Sequence, residues 1–327
     1  MNLSFCDILQ AKNRISDQII RTPILTSKIL NEKLEAEIYF KCENLQRTGS
    51  FKFRGALNKI LKFKEESGHF PKKIVAVSSG NHANAIAYLA NKFGIEALIF
   101  MDNRVSEYKV DFAKKYGADV RLVESRSAAD EGAAKKEREG YFFIHPSNDE
   151  DVICGQGTVC LEAIEEIGGF DAIFASCGGG GLVAGSYIAA QKLDKKPKVF
   201  AVEPALANDG AISFRTGKIH HLDKPSESVA DGIRTPHLSV KAFPYFQKLD
   251  GVLEISEDDI LKWTQIASLR LKVLIEPSAG IALSGAVQFL QNNQFTQKPK
   301  ILVILSGGNM SAKTAKMIWE KDYLSEI

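Results

Sequence analysis

The chain has 327 residues, with 42 Lys and Arg against 40 Asp and Glu (formal net charge +2), 45% hydrophobic and 25% charged residues. This is the composition of a globular protein of about two domains with ample core, and it excludes a disordered or collagen-like chain. The mixed charge offers no basic face for nucleic acid or an anionic membrane, no stretch reaches the roughly 18 apolar residues of a membrane span, and residues 1–17 lack a signal-peptide pattern.

Ile8, Ala11, Ile15 and Ile19 recur at helical spacing and predict a helix over 7–20, ended by Thr22-Pro23. Residues 37–43 alternate and read as a strand. The run T-G-S-F-K-F-R-G-A (48–56) follows. Ser50 is placed to cap a helix whose first turn carries Lys52. Phe51 and Phe53 flank the lysine with apolar surface. Desolvation lowers a lysine from its ordinary pKa of about 10.4, and a neutral amine can attack a carbonyl. Arg54, about 200° around the helix from Lys52, lies off that face. The same spacing also suits a solvated surface helix with alternating Lys and Arg.

Residues 62–72 are polar and read as a connection. Predicted strands at 73–77, 96–101, 119–123 and 142–144 then alternate with helices at 81–93, 108–116 and 128–138. After a break at 145–149, helices at 158–167, 182–193, 258–271 and 277–290 alternate with strands at 172–176, 198–203, 252–255 and 300–305. The stretch 205–250 is irregular. Near-continuous apolar strands between helices predict mostly parallel sheets covered on both faces. The fold class expected is α/β with two doubly wound domains. A large domain from 1–72 and 148–327 would carry a small inserted domain, 73–147. Ligands in such folds bind beyond the carboxyl ends of strands. Cys6, Cys42, Cys154, Cys160 and Cys177 form no CxxC pair and read as reduced thiols of a cytoplasmic protein.

Three glycine-bearing loops follow predicted strands: Ser78-Ser79-Gly80-Asn81-His82, Cys177-Gly178-Gly179-Gly180-Gly181 and Ser306-Gly307-Gly308-Asn309. Bare backbone between a strand and a helix can turn its N–H groups onto an anion, aided by the helix dipole. No Lys or Arg occurs between Glu139 and Gln191, so an anion at Gly178–Gly181 would be held locally by N–H groups, which suits a small phosphate. A tight turn with close helix–sheet packing is one alternative. Another is a dinucleotide site: Gly179, Gly181 and Ala184 fit G-x-G-x-x-A, and Glu203 ends the next strand where an acid would meet a ribose. The chain would then be a nicotinamide-dependent oxidoreductase. That reading leaves Lys52 and the other two loops without a role, and Pro204 directly follows the acid.

The motifs S-F-K-F-R-G-A (50–56), S-S-G-N-H-A-N (78–84), G-Q-G-T (155–158), G-G-G-G-L (178–182), E-P-S-A-G (276–280) and S-G-G-N (306–309) occur in this order. Over nearly its whole length the chain resembles the pyridoxal-phosphate enzymes of fold type II, the tryptophan synthase β-like fold, in the serine/threonine dehydratase and serine racemase branch. The resemblance implies pyridoxal 5'-phosphate as cofactor and ammonia-lyase activity on a small β-hydroxy amino acid, with serine racemase activity beside it; another substrate such as hydroxyaspartate is the alternative. It implies Lys52 as the Schiff-base lysine, Phe51 packed on the cofactor ring and Asn81 bonded to its phenolic oxygen. Gly178, Gly179, Gly180 and Gly181 would hold the phosphate, Gly232 would lie near the other face, and Ser306 would meet the pyridine nitrogen. A hydroxyl cannot hold that nitrogen protonated as a carboxylate does, which suits elimination and racemisation better than transamination.

On the same resemblance Ser78 and His82 would bind the substrate carboxylate. Lys52 would serve one face of the substrate Cα. Ser79, where racemase-like members carry serine and many threonine dehydratases alanine, would serve the other. Glu203, Asp209 and the Ala207 carbonyl match a divalent-cation site of racemase-like members, and oxygen ligands suit Mg2+ or Ca2+; an acidic surface loop is the alternative. A homodimer is expected. His69, His220, His221 and His237 read as surface residues. The chain departs from the family pattern at 102–106, which lacks prolines, and at Ser176. It also departs at Asn84 and Ser147, which bear on substrate identity.

Overall fold

The computed structural model describes residues 2–326 apart from Ser79, Arg104 and Ser106. Among these residues the strands are β1 (Ile24–Leu25), β2 (Glu37–Cys42), β3 (Lys73–Val77), β4 (Glu96–Asp102), β5 (Asp119–Val123), β6 (Phe142–Phe143), β7 (Ala172–Ser176), β8 (Lys198–Pro204), β9 (Gly251–Ile255) and β10 (Lys300–Leu305). They form a six-stranded sheet in the order β1-β2-β10-β7-β8-β9 and a four-stranded sheet in the order β5-β4-β3-β6. All pairings are parallel except the β1–β2 edge. The expected α/β class with mostly parallel sheets therefore holds. Strand β10 pairs with β2 over its whole length, Lys300 opposite Glu37 through Leu305 opposite Cys42, and with β7 on its other side. Its run from Ile301 to Leu305 is fully buried, as a strand covered on both faces must be.

Four local expectations are corrected. The first helix spans Phe5–Ile15, not 7–20. It begins where the Ser4 N–H donates to Asp7 Oδ2 at 2.8 Å, and beyond Ile15 the chain turns until the Ile20 N–H meets Gln46 Oε1 at 2.9 Å. Residues 62–67 are not a connection: the helix that starts at Lys52 runs to Ser67 and is closed by Gly68 at φ +80°. Its polar residues are good helix formers on a solvated face, and Lys62 reaches Asp151 at 2.6 Å. Ser50 does not cap this helix through its side chain. It bridges to Gly307 as extended backbone, and its buried hydroxyl has no partner among the described residues.

The fourth correction falls on the alternative of a solvated surface helix: Arg54, off the Lys52 face, is fully buried. Its guanidinium donates to Glu43 Oε2 at 2.8 Å and to Glu162 Oε1 at 2.6 Å, while Lys41 reaches Glu162 Oε2 at 2.6 Å. Two cations and two carboxylates thus close a buried network that joins β2, the Lys52–Ser67 helix and the helix Glu150–Ile167.

The helix Glu150–Ile167 is the pillar of the structure, and the G-Q-G-T motif explains how it packs. A Cβ on Gly155 would stand 2.6 Å from the Gly55 Cα, and one on Gly157 would stand 2.8 Å from the Gly185 carbonyl oxygen. Backbone touches backbone at both points, so the helices carrying Lys52 and the tetraglycine loop are set by direct contact with this one.

Candidate active site

The carboxyl ends of β3, β7 and β10 open onto one cleft of about 400 Å³. Lys52, Phe51, Ser78, Asn81, His82, Gly178, Gly179, Gly180, Gly181, Gly232 and Ser306 all line it. Sequence-distant motifs thus meet in one place. Ser79 lies outside the described residues, though Ser78 and Gly80 on either side of it line the cleft.

Lys52 opens the first turn of its helix and keeps part of its surface toward the cleft. Its Nζ donates to the Pro146 carbonyl at 2.9 Å and stands 4.9 Å from the centre of the Phe51 ring. Burial, with the positive charge of Arg126 second, lowers its pKa to about 8. The amine is therefore partly neutral near physiological pH.

The tetraglycine loop leads into the helix Gly181–Ala190, whose first turn leaves N–H groups without helical partners. Gly180 has φ +84°, a conformation that side chains resist. A Cβ on Gly179 would stand 2.2 Å from Ser147 Oγ, which itself accepts from Ser239 Oγ at 2.6 Å. The Ser239 N–H holds the loop from the other side by donating to the Gly179 carbonyl at 3.1 Å. Bare backbone is needed here both for packing and to leave the loop open.

On the Ser78–His82 loop, Asn81 Nδ2 donates to Glu276 Oε1 at 2.6 Å and Asn81 Oδ1 accepts from Asn309 Nδ2 at 2.8 Å. The Gly80 N–H donates to Ser78 Oγ at 3.2 Å. His82 Nε2 meets the Ile144 carbonyl at 2.8 Å, so its hydrogen is on Nε2 and the buried Nδ1, without a partner among the described residues, presents a lone pair. Burial and the neighbouring Lys52 charge lower this histidine to about 3, which keeps it neutral. Ser306 Oγ accepts from Ser176 Oγ and donates to the Ser278 carbonyl, each at 3.2 Å. The Gly232 N–H donates to Ser278 Oγ at 2.9 Å.

The cleft also holds residues that the sequence reading did not single out. His145 accepts from the N–H groups of Ser147 and Asn148 at 3.1 and 2.6 Å, and burial with the charge of Arg126 lowers it to about 3. Lys109 and Asp231 pair across the cleft at 2.6 Å. Arg126 pairs with Asp130 at 3.0 Å. Glu276 is buried, and its carboxyl is pushed up to about 8 by burial and by Asp231. Only Glu276 had a visible signal, its place in the E-P-S-A-G motif. His237, expected on the surface, lines the cleft, with its ring 4.2 Å from that of exposed His221.

A family model described as "Pyridoxal-phosphate dependent enzyme" matches residues 15–307. The chain belongs to the pyridoxal-phosphate dependent enzyme family. It falls in fold type II, in the serine/threonine dehydratase and serine racemase branch. It is 41% identical to an L-threo-3-hydroxyaspartate ammonia-lyase of Saccharomyces cerevisiae, over 95% of this chain and 94% of that protein. It is 36% identical to a serine racemase of Homo sapiens, over 98% and 94% of the two chains. Among solved structures, a T.th. threonine deaminase superposes with a TM-score of 0.87 at 36% identity, covering 94% of this chain and 99% of that one.

Membership in the pyridoxal-phosphate family displaces the nicotinamide reading, and the geometry agrees. Glu203, the acid that reading needs at a ribose, is buried away from the cleft lining and accepts from the Ala211 N–H at 2.5 Å. Burial and Asp209 push the Glu203 carboxyl well above its ordinary range, and burial raises Asp209 to about 7. Asp209 Oδ2 is buried without a partner among the described residues. No group of three or more His, Cys, Asp and Glu able to hold a metal ion occurs among the described residues. No helix among them is long and apolar enough to cross a membrane.

Proposed function

We propose that this pyridoxal-phosphate enzyme eliminates water from L-serine or L-threonine, the enamine released taking up water again to give a 2-oxo acid and ammonia, and also interconverts the serine enantiomers. The observation that carries the reading is the Lys52 amine, desolvated at the cleft wall beside the Phe51 ring, in the cleft that the tetraglycine loop also lines. The donor set fits the cofactor. Gly178–Gly181 offer helix-start N–H groups to a phosphate, Phe51 offers a ring face, Asn81 an amide N–H, and Ser306 a neutral hydroxyl. When bound, pyridoxal phosphate would supply an electron sink for the bonding pair released at the substrate Cα.

Lys52 Nζ, neutral in part, would take the Cα proton, with the Pro146 carbonyl orienting the amine. Ser78 and the backbone around it would bind the substrate carboxylate. His82 would contribute by shape and by its Nδ1 lone pair rather than by charge. Gly232, which also borders the cleft, is proposed to lie near the other face of the cofactor. Ser79, bracketed by two cleft residues, is proposed to serve the second face of Cα.

A second reading, 3-hydroxyaspartate as substrate, is favoured by Arg126, a cleft cation close enough to lower Lys52 and His145 electrostatically. A second carboxylate on the substrate would meet that charge. Assay of 2-oxo acid release from L-serine, L-threonine and L-threo-3-hydroxyaspartate, with chiral analysis of recovered serine, tests both readings. Preference for the dicarboxylic substrate that disappears in Arg126→Met selects the second; release from none of the three refutes both.

We also propose a Mg2+ or Ca2+ ion between Glu203, Asp209 and the Ala207 carbonyl, supported by the two buried carboxyls and the unpartnered Asp209 Oδ2. The large domain of 1–72 and 148–327 and the small domain of 73–147 are proposed from the two separate sheets. Five free cysteines support a cytoplasmic setting. A homodimer is the proposed assembly, tested by light scattering.

A further inference from the structure

Glu276 lines the cleft at 2% exposure, and none of the roles above uses it. Its Oε1 accepts from Asn81 Nδ2 at 2.6 Å. The orientation of that amide is settled from its far end. The Thr48 carbonyl can only accept, so it is Asn309 Nδ2 that faces it, at 2.7 Å. The same nitrogen donates to Asn81 Oδ1 at 2.8 Å, which leaves the Asn81 nitrogen on the Glu276 side. One hydrogen of that nitrogen goes to Glu276. No acceptor for the other appears among the described residues, and Asn81 borders the cleft.

Two motif glycines are required by this chain of bonds. A Cβ on Gly307 would stand 2.5 Å from Glu276 Oε1 and 3.1 Å from Asn81 Nδ2, and one on Gly49 would stand 2.6 Å from Asn309 Oδ1. The charged groups that face the Glu276 carboxyl are Asp231, which raises it, and Lys109, which lowers it. Oε1 can accept from Asn81 whether or not Oε2 carries a proton.

We propose that Glu276 is a positioning residue: its carboxyl holds the Asn81 amide with one N–H turned into the cleft, toward the phenolic oxygen of the cofactor. This rests on the reading of Asn81 as the residue that bonds that oxygen.

The test measures the absorption maximum of the holoenzyme and the dissociation constant for pyridoxal phosphate in the wild type, Glu276→Ala, Glu276→Gln, Asn81→Ala and the double variant Glu276→Ala/Asn81→Ala. Loss of one orienting hydrogen bond predicts about tenfold weaker binding and a displaced absorption band in Glu276→Ala. Glu276→Gln restores most of the affinity, because its amide oxygen still accepts from Asn81. In the Asn81→Ala background, Glu276→Ala then moves the constant less than about twofold. A full loss in that background, or no change in either, overturns the proposal. If Asn81→Ala alone has no effect, the reading of Asn81 fails too, which separates the two failures. Should Glu276→Ala not fold, Glu276→Met makes the same comparison with the volume kept.

Discussion

Burial holds the Lys52 amine at about 8, against about 10.4 for an unfolded lysine. Between these values the unfolded chain binds more protons than the folded one, so stability contributed by this group rises with pH across that window. Below pH 8 both states are protonated and the whole cost of burying the charge is present. Removing the amine therefore stabilises the cofactor-free protein: Lys52→Met is expected to gain about 3 kcal/mol at pH 7, with the gain closing as the pH approaches 10. Urea unfolding at the two pH values measures this, and equal midpoints for variant and wild type at pH 7 would mean the amine is hydrated. Ser79 carries a prediction about outcome rather than stability. Racemisation needs an acid–base group on each face of Cα, while elimination from the L-substrate needs only the Lys52 face. Ser79→Ala is expected to lose serine racemisation and keep L-serine elimination, as chiral chromatography and oxo-acid assay will report; parallel loss of both would assign Ser79 a general role.

The helix Lys52–Ser67 is held at two levels, by a charge network on one side and by backbone contact on the other. Arg54 lies between Glu43 and Glu162 at 0% exposure, and removing one partner of a buried network strands the others. Arg54→Met is expected to cost about 3–5 kcal/mol in denaturant unfolding, because Lys41 alone cannot offset two buried carboxylates. A loss under about 1 kcal/mol would show that water reaches the network. Gly155→Ala tests the other side. Its Cβ would meet the Gly55 Cα at 2.6 Å, and since backbone cannot swing aside, the helices must part. The expected cost is about 1–3 kcal/mol, together with weaker cofactor binding because Lys52 rides on the displaced helix.

Across the whole molecule, what is legible in sequence is what local pattern controls. Strand β10 can be read directly because burial on both faces demands an unbroken apolar run. The tetraglycine loop can be read because few other uses justify four bare residues in succession. Arg54 cannot be read, since its partners lie 11 and 108 residues away and nothing near it announces them. Lys109 and Asp231, 122 residues apart, meet only once the chain is folded. His237 reads as surface from its polar neighbours, yet the fold turns its loop over the cleft. The proposed cation site is local in sequence by contrast, all three ligands falling within 203–209, and a ligand that binds only the folded state raises its melting temperature by mass action. Magnesium or calcium is expected to raise the melting temperature of wild type and not of Glu203→Ala/Asp209→Ala; the same rise in both would place the ion elsewhere.

The covalent assignment of the cofactor to Lys52 is open to direct measurement. Borohydride reduction of the cofactor-loaded protein, followed by peptide mass mapping, reports which lysine carries the pyridoxyl group. The predicted result is the peptide containing Lys52, with the signal lost in Lys52→Ala. A pyridoxyl group on any other lysine of the wild-type protein, or none at all, would contradict the site described here.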